Sequence, residues 1–304
     1  KRNKNLKPRL KKEFNLKLNL QDIPRVKKLS KEEFLKDYFI PEKPVVFEEL
    51  SADWPATKKW DFDYFRKKAG DVVVPLYDGK PAKGRQSSHG PAQKIPMREY
   101  IDILEKGPTD LRMFFFNLLQ NCPELMDDFK YPDLGVKFFK KLPVLFVGGE
   151  GSSVVMHYDM DLANNFHFNF VGEKRVILYP PSETKFLYHV PHSIVSMEII
   201  NMDNPDFEKY PALAKAKGFE TRLKHGEALY IPSMWWHFIK YETASLSMTL
   251  RSLPQKPGRI AEVLKNLIIT RNYDNLMRKI KGQDWIDYKN RKAIENTHRS
   301  AGIE

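Results

Sequence analysis

The stretch MHYDMDLANNFHFNFVGEKRVILY, Met156 to Tyr179, decides how this chain is read, together with GEALYIPSMWWH, Gly226 to His237, far downstream. His157 and Asp159 stand two apart. On an extended strand such residues leave the same face, with Cα atoms about 6.5–7 Å apart, so an imidazole and a carboxylate can grip one ion between them. A second imidazole is needed, and His237 supplies it after a strand-like run, Ala228 to Ile231, and the IPSMWW turn. Two imidazoles and one carboxylate, with the other positions open, are the facial ligand set of non-haem Fe(II) oxygenases. His157, Asp159 and His237 are therefore the candidate catalytic and metal-binding residues.

An H-x-D pair alone is weak in a chain with eight histidines. Its setting carries the weight: an alternating strand, a turn at Gly172, a second strand Val176 to Tyr179, a Pro-Pro stop and the late Trp-Trp-His. The competing reading makes His157 a packed histidine bonded to Asp159 or to backbone. On the strand Asn165 to Val171, Phe166, Phe168 and Phe170 take one face and Asn165, His167 and Asn169 the other. If the phenylalanines pack against covering helices, the polar face lines an interior that only ligand or water satisfies. The opposite register puts the phenylalanines inside. His167 is then a ligand contact or a satisfied core histidine. Lys174 follows a Gly turn; a cation there suits the distal carboxylate of a dicarboxylate cosubstrate, or is an exposed turn lysine.

The 304 residues, 41% hydrophobic and 30% charged, describe an ordinary globular chain. One cysteine, Cys122, excludes an internal disulfide framework and a cysteine-based zinc site; a reducing, cytoplasmic setting is expected. No apolar run approaches the roughly 18 residues of a membrane span, and the basic start KRNKNLKPRLKK lacks the apolar segment of a signal peptide. The net charge is +12, with Lys and Arg crowded at both ends. Such ends attract phosphates or acidic partners, or are merely solvated faces.

Residues 1–28 read as a basic arm. Ser30 to Glu33 is a capping box opening a helix to about Tyr38. Strands are expected at 44–47, 72–76, 111–118 and 144–147, and helices over 61–70, 97–106 and 133–142. From there to Ser252 the chain is nearly all strand and turn. After Pro254, Arg259 to Ile280 has the apolar spacing of an amphipathic helix with a basic back. Many short strands between Gly/Pro turns favour a closed or double-sheet architecture: mainly β, a double-stranded β-helix or jelly roll, with helices before and after. The expected division is an arm over 1–28, a domain over 29–252 with its core at about 140–252, and a helical tail over 253–304.

The motifs HYD, GEKRVILYPP, NMDNPDFEKYPALAKAKGFET and GEALYIPSMWWH resemble the cupin-like JmjC family of Fe(II)/2-oxoglutarate oxygenases. They are particularly similar to members that hydroxylate an asparaginyl side chain of a transcription factor or a wybutosine-pathway tRNA base. The resemblance is clear over about residues 140–252. It implies His157, Asp159 and His237 as iron ligands and Lys174 as partner of the 2-oxoglutarate C5 carboxylate. Asn165 matches a pocket asparagine, Thr249 falls where relatives often carry a cosubstrate asparagine, and Phe114 and Phe116 fall near cosubstrate contacts. It also implies a homodimer through the C-terminal helices. The segment from Asp159 to Gly172 is two residues longer than in those relatives, which predicts a bulge. Val154 replaces a threonine, and the two phenylalanines replace polar residues.

The leading function is thus a dioxygenase that couples oxidative decarboxylation of 2-oxoglutarate by molecular oxygen to hydroxylation of a C–H bond in a macromolecule, a protein side chain being favoured and a tRNA base the alternative. A non-catalytic cupin binding protein, or a zinc or manganese hydrolase or isomerase on the same fold, are the rival classes.

Overall fold

A computed structural model describes residues 16–80, 83, 90–254 and 257–303. Most of the basic arm expected over 1–28, residues 1–15, lies outside these, as does much of the Gly-, Pro- and Ser-rich stretch 79–93. Six strands lead in: β1 (Asn19–Asp22), β2 (Arg25–Val26), β3 (Val45–Phe47), β4 (Val73–Leu76), β5 (Gln93–Pro96) and β6 (Arg112–Asn117). Eight more follow almost without helix: β7 (Val144–Gly148), β8 (Ser153–His157), β9 (Asn164–Val171), β10 (Lys174–Tyr179), β11 (Lys217–Leu223), β12 (Ala228–Ile231), β13 (Trp236–Tyr241) and β14 (Ser245–Ser252).

The eight divide into two facing sheets, the arrangement of a jelly roll. One runs β1-β11-β10-β13-β8 and the other β2-β3-β12-β9-β14-β7-β6. Neighbours among β7–β14 are antiparallel, while β1 joins β11 and β2 joins β3 in parallel. Residues 19–26 thus cap an edge of each sheet instead of trailing away, which covers otherwise unpaired backbone.

The phenylalanine face of β9 packs outward. Phe166, Phe168 and Phe170 join the main core with Phe34, Phe47, Trp54 and Trp60. The Phe168 ring centroid lies 4.5 Å from that of Trp54 and the Phe170 centroid 4.8 Å from that of Trp60. Each such buried aromatic contributes on the order of 1.5–3 kcal/mol relative to exposure, so the leading helices fix which face of β9 turns inward. Ser30 caps its helix, accepting from Glu33 N while the Glu33 carboxylate accepts from Ser30 N. The helices Phe62–Ala69 and Met97–Lys106 form close to the expected bounds.

One expectation fails. No helix forms over 133–142: Gly135 takes φ +74°, outside the helical region, and Phe138 is drawn into the core instead. The tail helix expected over 259–280 forms: it runs Pro257–Leu264, loosens into a π-helical stretch Lys265–Thr270 and resumes as Arg271–Lys281, and after Gly282 the chain reverses into Gln283–Ala301. Asp274 ties the last two helices together, accepting from Arg278, Trp285 and Lys289.

Candidate metal centre and its cavity

The sheet register brings the two distant histidines together. His237 on β13 is the direct cross-strand partner of His157 on β8, and their ring centroids are 4.1 Å apart. Asp159 lies just beyond the end of β8. One ligand atom from each of the three side chains lies within 4.8 Å of the others.

The rings are oriented alike. His157 Nδ1 is 2.8 Å from the Val155 carbonyl and His237 Nδ1 is 3.0 Å from the Trp235 carbonyl. A carbonyl only accepts, so each Nδ1 carries a hydrogen and each Nε2 is the ring nitrogen left to meet a metal. Burial, with the neighbouring His237 adding to it, pushes the His157 imidazole down to about 4, despite the opposing pull of Asp159. A fifth of its side chain still faces the cavity, so the shift comes from the protein packed around the ring. Burial alone would raise the Asp159 carboxyl. The Arg251 guanidinium, the two imidazoles and the Asn165 amide outweigh it and hold Asp159 below the usual carboxylate range.

These donors fit a metal of the Fe(II) class: two imidazoles and an ionised carboxylate, gathered at one place and backed by hydrogen bonds. They open onto a cavity of 520 Å³ between the sheets, whose walls include Phe114, Phe146, Val155, Ile239, Tyr241 and Thr249.

The other expected site residues are placed as follows. Asn165 lines the cavity and donates Nδ2–H to Asp159 Oδ2 at 2.5 Å, while its Oδ1 is buried without a partner. Thr249 lines the cavity and meets His167 Nδ1 at 2.8 Å. Lys174 is fully buried behind His167 and does not itself reach the wall. Phe114 lines the cavity, but Phe116 points into the main core. The reason is a bulge: the ladder of β6 and β7 shifts register between Met113 and Phe116, which breaks the two-residue alternation. Phe114 and Phe115 therefore both meet the cavity. Opposite β14, β9 also slips one residue, its partners passing from Val171 to Asn169.

Arg251 is the functional residue that the reading of the sequence missed. It is 3% exposed, lies directly across from Asn165 in the ladder, and donates from Nη2 to Asp159 Oδ2 at 3.1 Å and to Asp161 Oδ1 at 2.6 Å. Its signal was present: in SLSMTLRS, Ser247, Thr249 and Arg251 alternate with Leu246, Met248 and Leu250, which join the core.

Residues 30–275 match the cupin-like domain family. The chain belongs to the cupin-like, JmjC-type family. Membership carries the reaction class: the chain is a 2-oxoglutarate-dependent oxygenase. It is 28% identical over 249 residues to the tRNA wybutosine-synthesizing protein 5 of Gallus gallus, covering 75% of this chain and 76% of that one. It is 30% identical over 234 residues to the lysine-specific demethylase 8 of Xenopus tropicalis, covering 75% of this chain and 52% of that one. A similar match, 30% over 232 residues, joins it to the lysine-specific demethylase JMJ30 of Arabidopsis thaliana. The chain thus spans about three quarters of the wybutosine protein and about half of these demethylases.

Proposed function

We propose that His157, Asp159 and His237 hold Fe(II), and that the cavity above them takes 2-oxoglutarate and a C–H bond of a macromolecule for hydroxylation. The observation that carries this reading is the convergence of two imidazoles, each turned by its Nδ1 bond, and one ionised carboxylate at the cavity wall. Bound iron, with 2-oxoglutarate and oxygen, supplies the oxidising power for the reaction.

The chain's own residues supply the rest. Val155 O and Trp235 O fix the tautomer of both imidazoles. Arg251 and Asn165 hold the Asp159 carboxylate in place and ionised. Phe114, Phe146, Val155 and Ile239 present an apolar wall, which keeps water from a reaction centre that would otherwise oxidise solvent or protein.

A polypeptide side chain is the favoured substrate. The groove that adjoins the cavity mixes signs, with Asp78, Glu198 and Asp274 beside Lys80, Arg271 and Arg278. Mixed charge suits peptide better than a phosphate backbone, which needs uniform positive potential. The match along three quarters of both chains to a tRNA wybutosine-synthesizing protein favours a tRNA base as the second reading. Salt separates the two: RNA binding should weaken steeply from low to physiological ionic strength.

We also place a homodimer on the tail. Ile260, Leu264, Ile268, Ile269, Leu276 and Ile280 are exposed there, more apolar surface than a solitary helix usually shows. Among the described residues no helix is long and apolar enough to cross a membrane, and a cytoplasmic location suits a chain whose one cysteine, Cys122, is a buried free thiol.

The test is succinate production from 2-oxoglutarate by anaerobically purified, Fe(II)-loaded protein exposed to oxygen with candidate peptides and tRNA. The reading expects turnover that disappears in His157→Ala and Asp159→Ala. Turnover unchanged in both variants would sink it.

A further inference from the structure

The cavity above the metal centre and the groove outside it meet at a neck. Six residues line both spaces: Arg112, Phe114, Val155, Met160, Ile194 and Arg271. A side chain that travels from the groove to the metal passes them. Val155 stands two residues before His157 on β8, so the neck lies about 6.5–7 Å along the strand from a metal ligand. Four of the six are apolar. The other two are guanidinium groups from different walls, Arg112 on β6 and Arg271 at the start of the helix Arg271–Lys281.

The acids that line the two spaces are already engaged. Asp159 and Asp161 accept from Arg251 at 3.1 and 2.6 Å. Asp78 pairs with Lys80 at 2.9 Å, Asp274 pairs with Arg278 and Lys289, and Glu198 has a partner of its own. Among the described residues none of these carboxylates pairs with Arg112 or Arg271. Arg112 donates only to backbone carbonyls, from Nη1 to Ser153 and from Nη2 to Asp78 at 3.1 Å. Those bonds fix its plane and leave a further N–H on each of the two nitrogens. Burial lowers its pKa, but a guanidinium begins so high that it keeps its charge at neutral pH. Arg271 is exposed and donates to no group among the described residues. The neck thus holds uncompensated positive charge in an apolar frame, and a carboxylate there meets donors of matching shape and sign.

We propose that Arg112 and Arg271 select the substrate: they take the carboxylate of an aspartate or glutamate beside the hydroxylated residue of a polypeptide, and they reject a lysine or arginine at that place. The inference rests on the oxygenase reading, since the neck matters only if a substrate must pass it to reach the metal. The apolar frame strips water from a cation that enters, and no free carboxylate replaces the lost hydration. A basic side chain therefore meets desolvation and like charge together. One carboxylate suits the neck better than a phosphate backbone. Asp78, Glu198 and Asp274 line the groove beyond it and would face a run of phosphates, whereas a peptide can place one acid at the neck and neutral residues elsewhere. A charge-assisted hydrogen bond amounts to about tenfold in affinity.

The experiment passes a randomised peptide pool, equal in Asp, Glu, Gln, Lys and Arg, over the immobilised 304-residue chain. The chain is loaded with Mn(II) and 2-oxoglutarate at physiological ionic strength, and the retained peptides are sequenced. Wild type should enrich acidic over basic residues about tenfold or more. Arg271→Glu should abolish or reverse that preference, and Arg271→Lys should keep most of it. Arg112→Gln, whose amide can still bond a backbone carbonyl, should weaken it; if that variant does not fold, the Arg271 series decides alone. Lys217→Glu makes the same charge change at an exposed position of β11 that lines neither space, and it should leave the preference as in wild type. No acidic preference in wild type, or one that Arg271→Glu leaves intact or Lys217→Glu removes equally, overturns the inference. So does an RNA stem-loop that displaces the peptides and loses its binding in Arg271→Glu, which would make phosphate the anion. A chain that takes up neither Mn(II) nor 2-oxoglutarate sinks the oxygenase reading and this selection with it. One that takes up both without a charge preference sinks the selection alone.

Discussion

Arg251 Nη2 donates to Asp159 Oδ2 at 3.1 Å, so a buried cation steadies the one carboxylate of the candidate metal centre. The same nitrogen reaches Asp161 Oδ1 at 2.6 Å, and the two acids pin the guanidinium in turn. Groups that orient a metal ligand in this way typically change metal affinity by about 10–100-fold when removed. Arg251→Met should therefore weaken Mn(II) binding by about that factor while the fold persists. Direct Mn(II) titration checks this, and an affinity equal to wild type would show that Arg251 has only a structural part.

Metal binding should be visible as stability. At neutral pH, Mn(II) at about 100 times its dissociation constant should add about 2.7 kcal/mol, raising the melting temperature by a few degrees. The pH dependence has a definite sign. An unfolded histidine takes its proton near the ordinary value of about 6.5, whereas folded His157 resists until about 4. Metal-free protein should thus lose stability as pH falls between these values. The metal competes for the same Nε2, so its stabilising effect should fade toward pH 4. Melting curves with and without Mn(II) across this range measure both effects.

The last two helices depend on Asp274. Burial pushes its carboxyl up, but hydrogen bonds from Lys289, Arg278 and Trp285 together outweigh that and hold it below the usual range. Lys289 is 1% exposed, so Asp274→Ala leaves a buried ammonium unpaired. Such losses cost about 3–5 kcal/mol. Because the folded carboxyl is depressed, this contribution is present above the unfolded value and lost as pH falls through the folded one. Hydrogen exchange over 271–301 should accelerate in the variant at neutral pH and in the wild type in acid.

Leu264 and Ile268 are 51% and 57% exposed on the interrupted tail helix. If two copies meet there, Leu264→Glu with Ile268→Glu should convert a dimer to a monomer at micromolar concentration, without loss of the folded jelly roll. Light scattering and circular dichroism check the two halves of that statement.

Much of this architecture was legible because it rests on short periods. The alternation in NFHFNFV separates the aromatic face packed on Trp54 and Trp60 from the polar face, and in SLSMTLRS the same rule reaches Arg251 once read to its end. What hid was whatever breaks the period. Three consecutive phenylalanines, Phe114 to Phe116, do not reveal where a bulge falls, so the swap of Phe116 for Phe115 at the cavity had no signature. The segment Asp133 to Leu142 was expected as helix from composition, yet Gly135 adopts a positive φ and tertiary packing of Phe138 overrides propensity. The meeting of His157 and His237 is a property of sheet register, which no local pattern encodes.

The most direct test of the account is the stoichiometry of Mn(II) binding to the 304-residue chain and to its variants His157→Ala, Asp159→Ala and His237→Ala. The account predicts one ion per chain in the wild type and binding weakened by orders of magnitude in each variant. No binding in the wild type, or an ion retained equally by all three variants, would contradict it.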